Sequence, residues 1–373
     1  MAEKKRLKVL QVASSLLDIG GIEDQVTLLS KGLQDRGHEV HITCWPGTWL
    51  WEQAEANGIK AIPLRVRHQQ DWLALGSYLR VLRKGKYDIV HVHFSPDFII
   101  VGLAAKLLGI RDLLLTRHQC SSWRKFNRWL YDGLLYQKFI AVSEAVRQAL
   151  ISSGVSADKV VTVYNGVIPQ MEPLKPAQLK EKLGLPEDLF LIGTMARLAQ
   201  GKGHRCMIDI MPELDPRAVY IIGGSGPDEE ALLEYVKNKN LSNRVKFLGW
   251  RKDKYSVFAD LDILVHPCIW EEACCGAIID AMSMGVPVVA TASGGNAELV
   301  SDGVTGLIVP KNDSTALIKA ISDLMSDPGR CKRMGEEAIK KQQSLFTTPA
   351  VAANVEKVYM NLLKIPEDVA EPV

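Results

Sequence analysis

Short runs of apolar residues alternate with amphipathic segments along most of this chain. Runs such as KVLQVA at 8–13 and AVYII at 218–222 are almost entirely apolar, which is typical of strands covered on both faces of a parallel sheet. Between such runs, residues including Val26, Leu29 and Leu33 recur at helical spacing. The alternation predicts repeated strand–helix units, and hence an α/β protein.

The same pattern gives the expected elements. We predict strands at 8–13, 38–44, 89–94, 113–116, 139–142, 160–164, 190–194, 218–222, 244–248, 261–268 and 286–291. We predict helices at about 23–35, 98–110, 121–138, 228–238, 314–325, 328–344 and 349–364.

The pattern breaks at 167–187, a loop-like stretch with four prolines and one short helix expected at 177–183. Breaks of this kind separate domains, and 373 residues exceed one ordinary domain. We therefore expect a first domain at 1–168 and a second at 169–345. The tail at 365–373 is expected to be frayed.

Composition narrows the class of protein. A net charge of +2 gives no sign of a nucleic-acid partner. Seven scattered cysteines without a CxxC pair favour a reduced, cytoplasmic location. The charged N-terminus lacks the apolar core of a signal peptide. The apolar run at 98–110 includes Lys106 and is too short to span a bilayer.

The stretch 270–310 concentrates candidate chemistry. Glu272 precedes an apolar helix that carries Asp280, and Gly285 and Pro287 end that helix. A strand follows, and Gly294-Gly295 open the next helix. Successive strand ends and helix starts direct backbone N–H groups to one place, as an anion site requires.

Two further glycine loops follow strands of the second half. Arg197 and Lys202 flank one, and two cations there suit a diphosphate. Its glycine spacing is not that of a Walker A motif. Gly224 lies in the other, GGSGP. The DxD sequence at Asp260 and Asp262 precedes its strand, so we interpret it as a cap and strand start.

In the first half, Gly20-Gly21 joins a strand to a helix in a βαβ unit. The turn is either a place where a ligand approaches backbone or a plain connection, and GxGxxG is missing. His91 and His93 share a strand face, but no cluster of Cys, Asp or Glu accompanies them, so a strand end near a cleft is favoured over a metal site. His118 follows a strand and is either a ligand contact or proton carrier, or a hydrogen-bonded loop histidine.

The segment 121–138, SSWRKFNRWLYDGLLYQK, mixes aromatic and basic residues. A helix of this composition can lie on an anionic membrane. The alternative, slightly favoured from the residues, is a helix that packs its aromatic side on the sheet.

These motifs together resemble the retaining glycosyltransferases of family four, which have the GT-B fold. The resemblance rests on GGIE at 20–23, DIVHVH at 88–93, TRH at 116–118, VSEAV at 142–146, NGV at 165–167, ARLAQGKGH at 196–204, GGSGP at 223–227, EACCGAIIDAMSMGVPVVA at 272–290 and SGGNAELV at 293–300. It implies two facing Rossmann-like domains with a cleft between them, a nucleotide-sugar donor domain in the second half, and a C-terminal helix within 346–373 that crosses back to the first, acceptor-binding domain.

The resemblance also implies roles for individual residues. Arg197 and Lys202 would bind the donor diphosphate, with Gly224 nearby. Glu272, the first acid of E-x7-E, would contact the sugar, and Asp280, in place of the second glutamate, would hold the ribose. Further donor contacts would come from Gly20 and Gly21, and from backbone at Cys275, Gly276 and Ala277. His118 would lie near the reacting centre.

The implied reaction is retaining transfer of a hexose-type sugar from a UDP- or GDP-sugar to an acceptor hydroxyl. Without a carboxylate pair for double displacement, front-side transfer is expected, with Arg197 and Lys202 stabilising the leaving group and no metal required. We expect a glycan or lipid-linked acceptor in envelope or lipopolysaccharide synthesis, with peripheral membrane contact through 121–138. The alternatives are a nucleotide-sugar epimerase, small-molecule glycoside synthesis, a nicotinamide dehydrogenase or a non-catalytic binding module.

Overall fold

The computed structural model describes residues 5–14, 20–68, 71–168 and 176–366. The chain divides into two compact units, Met1–Ile168 with Thr347–Val373, and Pro169–Phe346. Residues 169–175 of the predicted linker and 367–373 of the predicted tail lie outside the described residues. Within the described ranges, every helix is too short or too polar to cross a membrane.

The first unit is built on seven parallel strands. They are β1 (Lys8–Val12), β2 (Glu39–Cys44), β3 (Lys60–Pro63), β4 (Ile89–Val92), β5 (Leu113–Arg117), β6 (Lys138–Ala141) and β7 (Val160–Thr162). Their spatial order is β3-β2-β1-β4-β5-β6-β7. The direction of winding therefore reverses between β1 and β4, and Leu10 lies opposite both His41 and Val90. Ligands of doubly wound sheets bind outside the carboxyl ends of strands at such a reversal.

Helices connect these strands. They are α1 (Gly21–Asp35), α2 (Trp49–Ala56), α3 (Trp72–Gly85), α4 (Asp97–Leu107), α5 (Lys125–Leu130) and α6 (Glu144–Ser152). Ser143 caps α6, since its side chain accepts a hydrogen bond from the Val146 N–H.

The second unit repeats the plan with six strands. The elements are α7 (Leu179–Lys182), β8 (Phe190–Met195), α8 (His204–Ile210), β9 (Ala218–Gly223), α9 (Glu229–Asn238), β10 (Val245–Gly249), α10 (Lys254–Phe258), β11 (Ile263–His266), α11 (Gly276–Ser283), β12 (Val288–Thr291), α12 (Asn296–Leu299), β13 (Gly306–Val309), α13 (Ser314–Ser326) and α14 (Pro328–Leu345). The strand order is β10-β9-β8-β11-β12-β13, which places the winding reversal between β8 and β11.

The last helix, α15 (Thr348–Leu362), belongs to the first unit, where it packs against α1. Its Glu356 side chain is 1% exposed and accepts hydrogen bonds from Arg36 Nε and His38 Nε2. The Leu7 N–H donates to His38 Nδ1, so Nε2 must carry the proton that Glu356 accepts. A buried carboxylate with two such donors is satisfied and fixes α15 to the start of the sheet.

Several predicted elements differ from those observed. The segment 121–138 is not one helix: α5 covers Lys125–Leu130, a π-helical turn covers Tyr131–Leu135, and β6 starts at Lys138. Strands β3 and β13 and helix α3 had no predicted counterpart. The DxD carboxylates accept backbone N–H groups, Asp260 from Leu179 and Asp262 from Leu191, as a cap and strand start should.

A buried carboxyl group holds the backbone at Ser14, just after β1. The Asp97 side chain is fully buried and accepts hydrogen bonds from the Tyr78 hydroxyl (2.7 Å) and the Ser14 N–H (2.9 Å). Burial raises the pKa of Asp97 to about 7, although those two hydrogen bonds act in the opposite direction. This group therefore changes charge near neutral pH.

We expect the stability of the protein to fall as the pH rises through this range. The unfolded-state pKa of an aspartate is about 4, so the stabilisation from Asp97 is fully present below about pH 4 and is lost as the pH rises to about 7. In Asp97→Asn, the amide can donate to Tyr78, which then donates to Ser14 Oγ. The difference in unfolding free energy between pH 5 and pH 8 should shrink by about 3 kcal/mol, measured by urea unfolding. Asp35→Asn, at an exposed carboxylate, is the control and should leave the difference unchanged. Equal pH dependence in wild type and Asp97→Asn would contradict the assignment.

Candidate active site

Lys202 and Glu272 meet at the winding reversal of the second sheet. Lys202 lies in the loop that follows β8, and Glu272 in the loop that follows β11, the neighbouring strand. Their side chains form an ion pair and are 23% and 15% exposed. The sequence predicted both residues as ligand contacts, and the fold brings them into direct contact.

The environment keeps Glu272 ionised. Burial raises the pKa of this carboxyl, but the hydrogen bond and charge of His266 and the charge of Lys202 outweigh burial and hold the pKa well below its ordinary value. For Lys202, burial lowers the pKa, but the Glu272 carboxylate more than compensates and raises it. Both groups are therefore charged at neutral pH. The Glu272 carboxylate can accept hydrogen bonds from hydroxyl groups, and the Lys202 ammonium group can bind an anion.

His266 and two cysteines form the base of this site, and sequence reasoning assigned no role to His266 or Cys268. His266 is 2% exposed; its Nε2 lies 3.2 Å from Glu272 Oε1 and its Nδ1 lies 3.8 Å from Cys275 Sγ. Burial lowers the His266 pKa, but Cys275, Cys268 and Glu272 raise it above its ordinary value. The available signal was HPC at 266–268, polar side chains at the carboxyl end of a buried strand.

Backbone contacts fix the loop that carries Glu272. The Ile269 N–H donates to the Gly201 carbonyl at 2.8 Å, and the Gly295 N–H donates to the Glu272 carbonyl at 2.8 Å. A Cβ on Gly203 would overlap the Pro267 carbonyl oxygen, and a Cβ on Gly294 would overlap that of Glu272. The glycines on either side thus allow three backbone segments to pack closely.

Asp280 lies on α11 and is 5% exposed. Lys254 Nζ donates to its Oδ2 at 2.8 Å. Its Oδ1 has no hydrogen-bond partner among the residues that the structure describes. Asp280 therefore retains one acceptor atom, while Lys254, which the sequence analysis missed, balances its charge.

The other predicted contacts of the second unit occupy loops at the same edge of the sheet. Cys275 is the N-cap residue of α11, which begins at Gly276 and continues through Ala277, so this helix directs free N–H groups outward. Arg197 is exposed. Gly224 has φ +135°, and a Cβ there would overlap the Ala196 carbonyl, which shows that the loops after β8 and β9 pack together.

The remaining predicted residues belong to the first unit. Gly20 precedes α1, and a Cβ on Gly20 would lie 2.7 Å from a carboxylate oxygen of Glu23. Glu23 is 3% exposed, and burial raises its pKa to about 7. Gly21 is the first residue of α1 and has open space where a Cβ would lie. The glycine at position 20 thus accommodates a buried carboxyl group that the sequence analysis did not single out.

His118 lies at the end of a hydrogen-bonded chain. Gln11 Oε1 accepts from His93 Nε2 (2.7 Å), so His93 Nδ1 accepts from His118 Nε2 (3.3 Å). Tyr359 and Thr116 bind the two ring nitrogens of His91. Burial lowers the pKa of His91 and His118 to about 3 and that of His93 well below its ordinary value. His118 is therefore neutral, with Nδ1 as its unprotonated nitrogen, and the polar partners of His91 and His93 explain HxH without a metal.

Comparisons with known proteins agree with this architecture. The family model described as "Glycosyl transferases group 1" matches residues 177–341, and that described as "Glycosyltransferase Family 4" matches residues 19–170. The chain is 30% identical over 279 residues to the Escherichia coli UDP-Gal:alpha-D-GlcNAc-diphosphoundecaprenol alpha-1,3-galactosyltransferase, covering 69% of this chain and 71% of that protein. It is 29% identical to the Streptomyces fradiae 2-deoxystreptamine N-acetyl-D-glucosaminyltransferase, covering 86% of each.

Among solved structures, Anabaena Alr3699/HepE in complex with UDP superposes with a TM-score of 0.85 at 23% sequence identity. The match covers 95% of this chain and 100% of that chain. The likeness confirms the predicted two-domain GT-B fold.

Proposed function

The chain belongs to glycosyltransferase family 4, whose members are GT-B transferases, and on that premise we propose that it transfers a hexose-type sugar from a UDP-sugar to an acceptor hydroxyl with retention. The observation that carries the proposal is the Lys202–Glu272 pair beside the N-terminus of α11. The uridine base is supported by the galactosyltransferase relative, named for UDP-Gal, and by the UDP complex of the structural neighbour.

The diphosphate, the sugar and the ribose of the donor each have a matching group in the second unit. Lys202, the exposed Arg197 and the N–H groups of α11 suit the diphosphate. The ionised Glu272 suits sugar hydroxyls, and Asp280 Oδ1 suits a ribose hydroxyl. Lys202 would contact Glu272 and a phosphate oxygen at once, which links sugar position to phosphate position.

The proposed step is a front-side displacement. The bond between the anomeric carbon and the phosphate oxygen breaks, the acceptor oxygen bonds to the same face, and the acceptor proton passes to the departing phosphate oxygen. Arg197 and Lys202 stabilise the charge that develops there, so this step as proposed requires no metal ion.

A donor panel tests the function. UDP-, GDP- and ADP-sugars are added separately, and thermal unfolding is recorded; a ligand at 100 times its Kd stabilises the native state by about 2.7 kcal/mol. We expect UDP-sugars alone to raise Tm. Incubation of the donor with and without acceptors then separates transfer from epimerisation, which needs no acceptor. Failure of every UDP-sugar to bind, or conversion of the donor without an acceptor, would reject the proposal.

We also propose a lipid-linked envelope acceptor, reached through peripheral contact with an anionic membrane. Phe126 and Trp129 are 66% and 56% exposed, with ring centroids 6.1 Å apart, and Arg124 and Lys125 beside them are exposed. Trp123 and Tyr131 of the same segment are buried, so part of it packs inward and part is available to a bilayer. The diphosphoundecaprenol named for the galactosyltransferase relative supports such an acceptor, whereas the 2-deoxystreptamine relative supports a small-molecule acceptor.

Removal of two basic residues should weaken membrane binding. We expect Arg124→Ser/Lys125→Ser to lower partition onto anionic vesicles about 30-fold, because each basic residue near such a surface contributes about 1 kcal/mol. Vesicle sedimentation measures the partition. Arg128 is left intact because it donates to the Gly154 carbonyl. Lys319→Ser/Lys340→Ser, with the same charge change at exposed sites, is the control; equal loss in both variants would contradict a specific surface.

A further inference from the structure

Three side chains of different chemistry converge just beyond β11. A ring nitrogen of His266, Cys268 Sγ and a carboxylate oxygen of Glu272 all lie within 4.8 Å of one another. Imidazole, thiolate and carboxylate are the groups that bind zinc in proteins. We propose that His266, Cys268 and Glu272 bind a zinc-class divalent ion, in exchange for the contact between Lys202 and Glu272.

The geometry needs little adjustment to hold an ion. Bond lengths of about 2.0–2.3 Å in a tetrahedral zinc site put ligand atoms about 3.3–3.8 Å apart. The His266 Nε2 to Glu272 Oε1 separation is already 3.2 Å. The backbone between His266 and Cys268 is held in place, since Thr291 Oγ1 donates to the Cys268 carbonyl. Small rotations of the Cys268 and Glu272 side chains would complete three ligand positions and leave the fourth open.

The surroundings also suit a bound ion. With Nε2 on the metal, His266 Nδ1–H faces Cys275 Sγ at 3.8 Å, and a partner on the second ring nitrogen orients a ligand histidine. The Cys268 thiol now donates to the Gly201 carbonyl. That carbonyl also accepts from the Ile269 N–H, so it stays satisfied when the thiol becomes a thiolate.

Lys202 and the ion compete for the same carboxylate. Lys202 Nζ pairs with Glu272 Oε1, the oxygen nearest His266 Nε2, and a divalent cation there would repel the ammonium group. The Lys202 side chain is 23% exposed and can turn toward solvent. The metal site rests on the three ligands alone; only its consequence, inhibition of sugar transfer by zinc, rests on the proposed function.

Cobalt(II), which replaces zinc and absorbs strongly in the near ultraviolet when bound to thiolate, tests the ligand set. We expect the full-length protein, reduced and freed of metal, to develop this band with saturation at one equivalent. Cys268→Ser should lose the band and Cys331→Ser should keep it; Cys331 also donates to a backbone carbonyl, that of Leu324. No band in wild type, or a band that survives in Cys268→Ser, would overturn the site. Circular dichroism checks that each variant is folded.

Two more variants test the competition. Glu272→Gln should weaken zinc binding at least tenfold, measured against a chromophoric chelator. Lys202→Ala should strengthen zinc binding at least tenfold, because the competing cation is gone. Equal or weaker zinc binding in Lys202→Ala would overturn the proposal that the ion displaces Lys202 from Glu272. None of these measurements uses a sugar donor, so their outcome does not depend on whether the proposed sugar transfer takes place.

Discussion

Lys202→Ala should lower kcat/KM for sugar transfer by about 10²–10³-fold, the usual effect of removing one group that stabilises charge in a transition state. The loss should fall mainly on kcat if the ammonium group acts on the departing diphosphate. Initial rates with a UDP-sugar donor and its acceptor measure both constants. Lys202→Arg keeps the charge and should recover part of the activity.

The neighbouring ion pair supplies the control for this experiment. Lys311 pairs with Glu271, one residue before Glu272, and their side chains are 31% and 50% exposed. Lys311→Ala thus removes an ion pair from the same loop at a solvated position, where such pairs contribute little. Its kcat/KM should stay within about twofold of wild type. A similar loss in both variants, or near-normal transfer by Lys202→Ala, would argue against a role for Lys202 at the phosphate.

Sequence reasoning succeeded where a pattern was local. Buried strands such as β1 and β9 lie within about one residue of their predicted bounds, because a nearly continuous apolar run marks each of them. Strand β3, KAIP at the edge of the sheet, is only partly buried and ends in proline. It therefore lacks the continuous apolar run by which other strands were predicted. The segment 121–138 was misread because its aromatic residues divide between the interior and the surface.

The residues of the candidate site also divide into those marked by a local sequence pattern and those whose role depends on contacts made by the fold. Arg197, Lys202, Glu272 and Asp280 could be named because motifs of charged and glycine residues follow strands. Lys254 could not, since it acts through a partner remote in sequence: Asp280 is 26 residues beyond it. His266 stands in HPC at a strand end, but its contacts with Glu272 and Cys275 form only when the segment after β11 folds back on it. The tautomer of His118, with Nδ1 unprotonated, depends on Gln11 and His93, which only the sheet brings together. Partners created by folding set the charges of the site.

Substitution of the glycines around the Glu272 loop should be as damaging as substitution of its charged residues. Gly294 has φ +51°, and a Cβ there would overlap the Glu272 carbonyl oxygen. Gly294→Ala therefore combines left-handed strain of about 1–2 kcal/mol with a steric clash of about 1–3 kcal/mol. We expect a loss of about 3 kcal/mol in unfolding free energy, or roughly 10 °C in Tm, and loss of donor-induced stabilisation because the Glu272 backbone must move.

Gly303→Ala separates strain from overlap. Gly303 has φ +73°, is exposed, and has open space where a Cβ would lie, so its alanine variant bears the conformational strain alone. That variant should lose about 1 kcal/mol and keep its response to the donor in the same thermal-unfolding assay. If the two variants lose equal stability, or if Gly294→Ala binds donor normally, close packing of Gly294 on the Glu272 carbonyl does not position the carboxylate. A large difference would show that the position of Glu272 is set by backbone contact with the loop after β12, and that the absence of a side chain at Gly294 is part of the site.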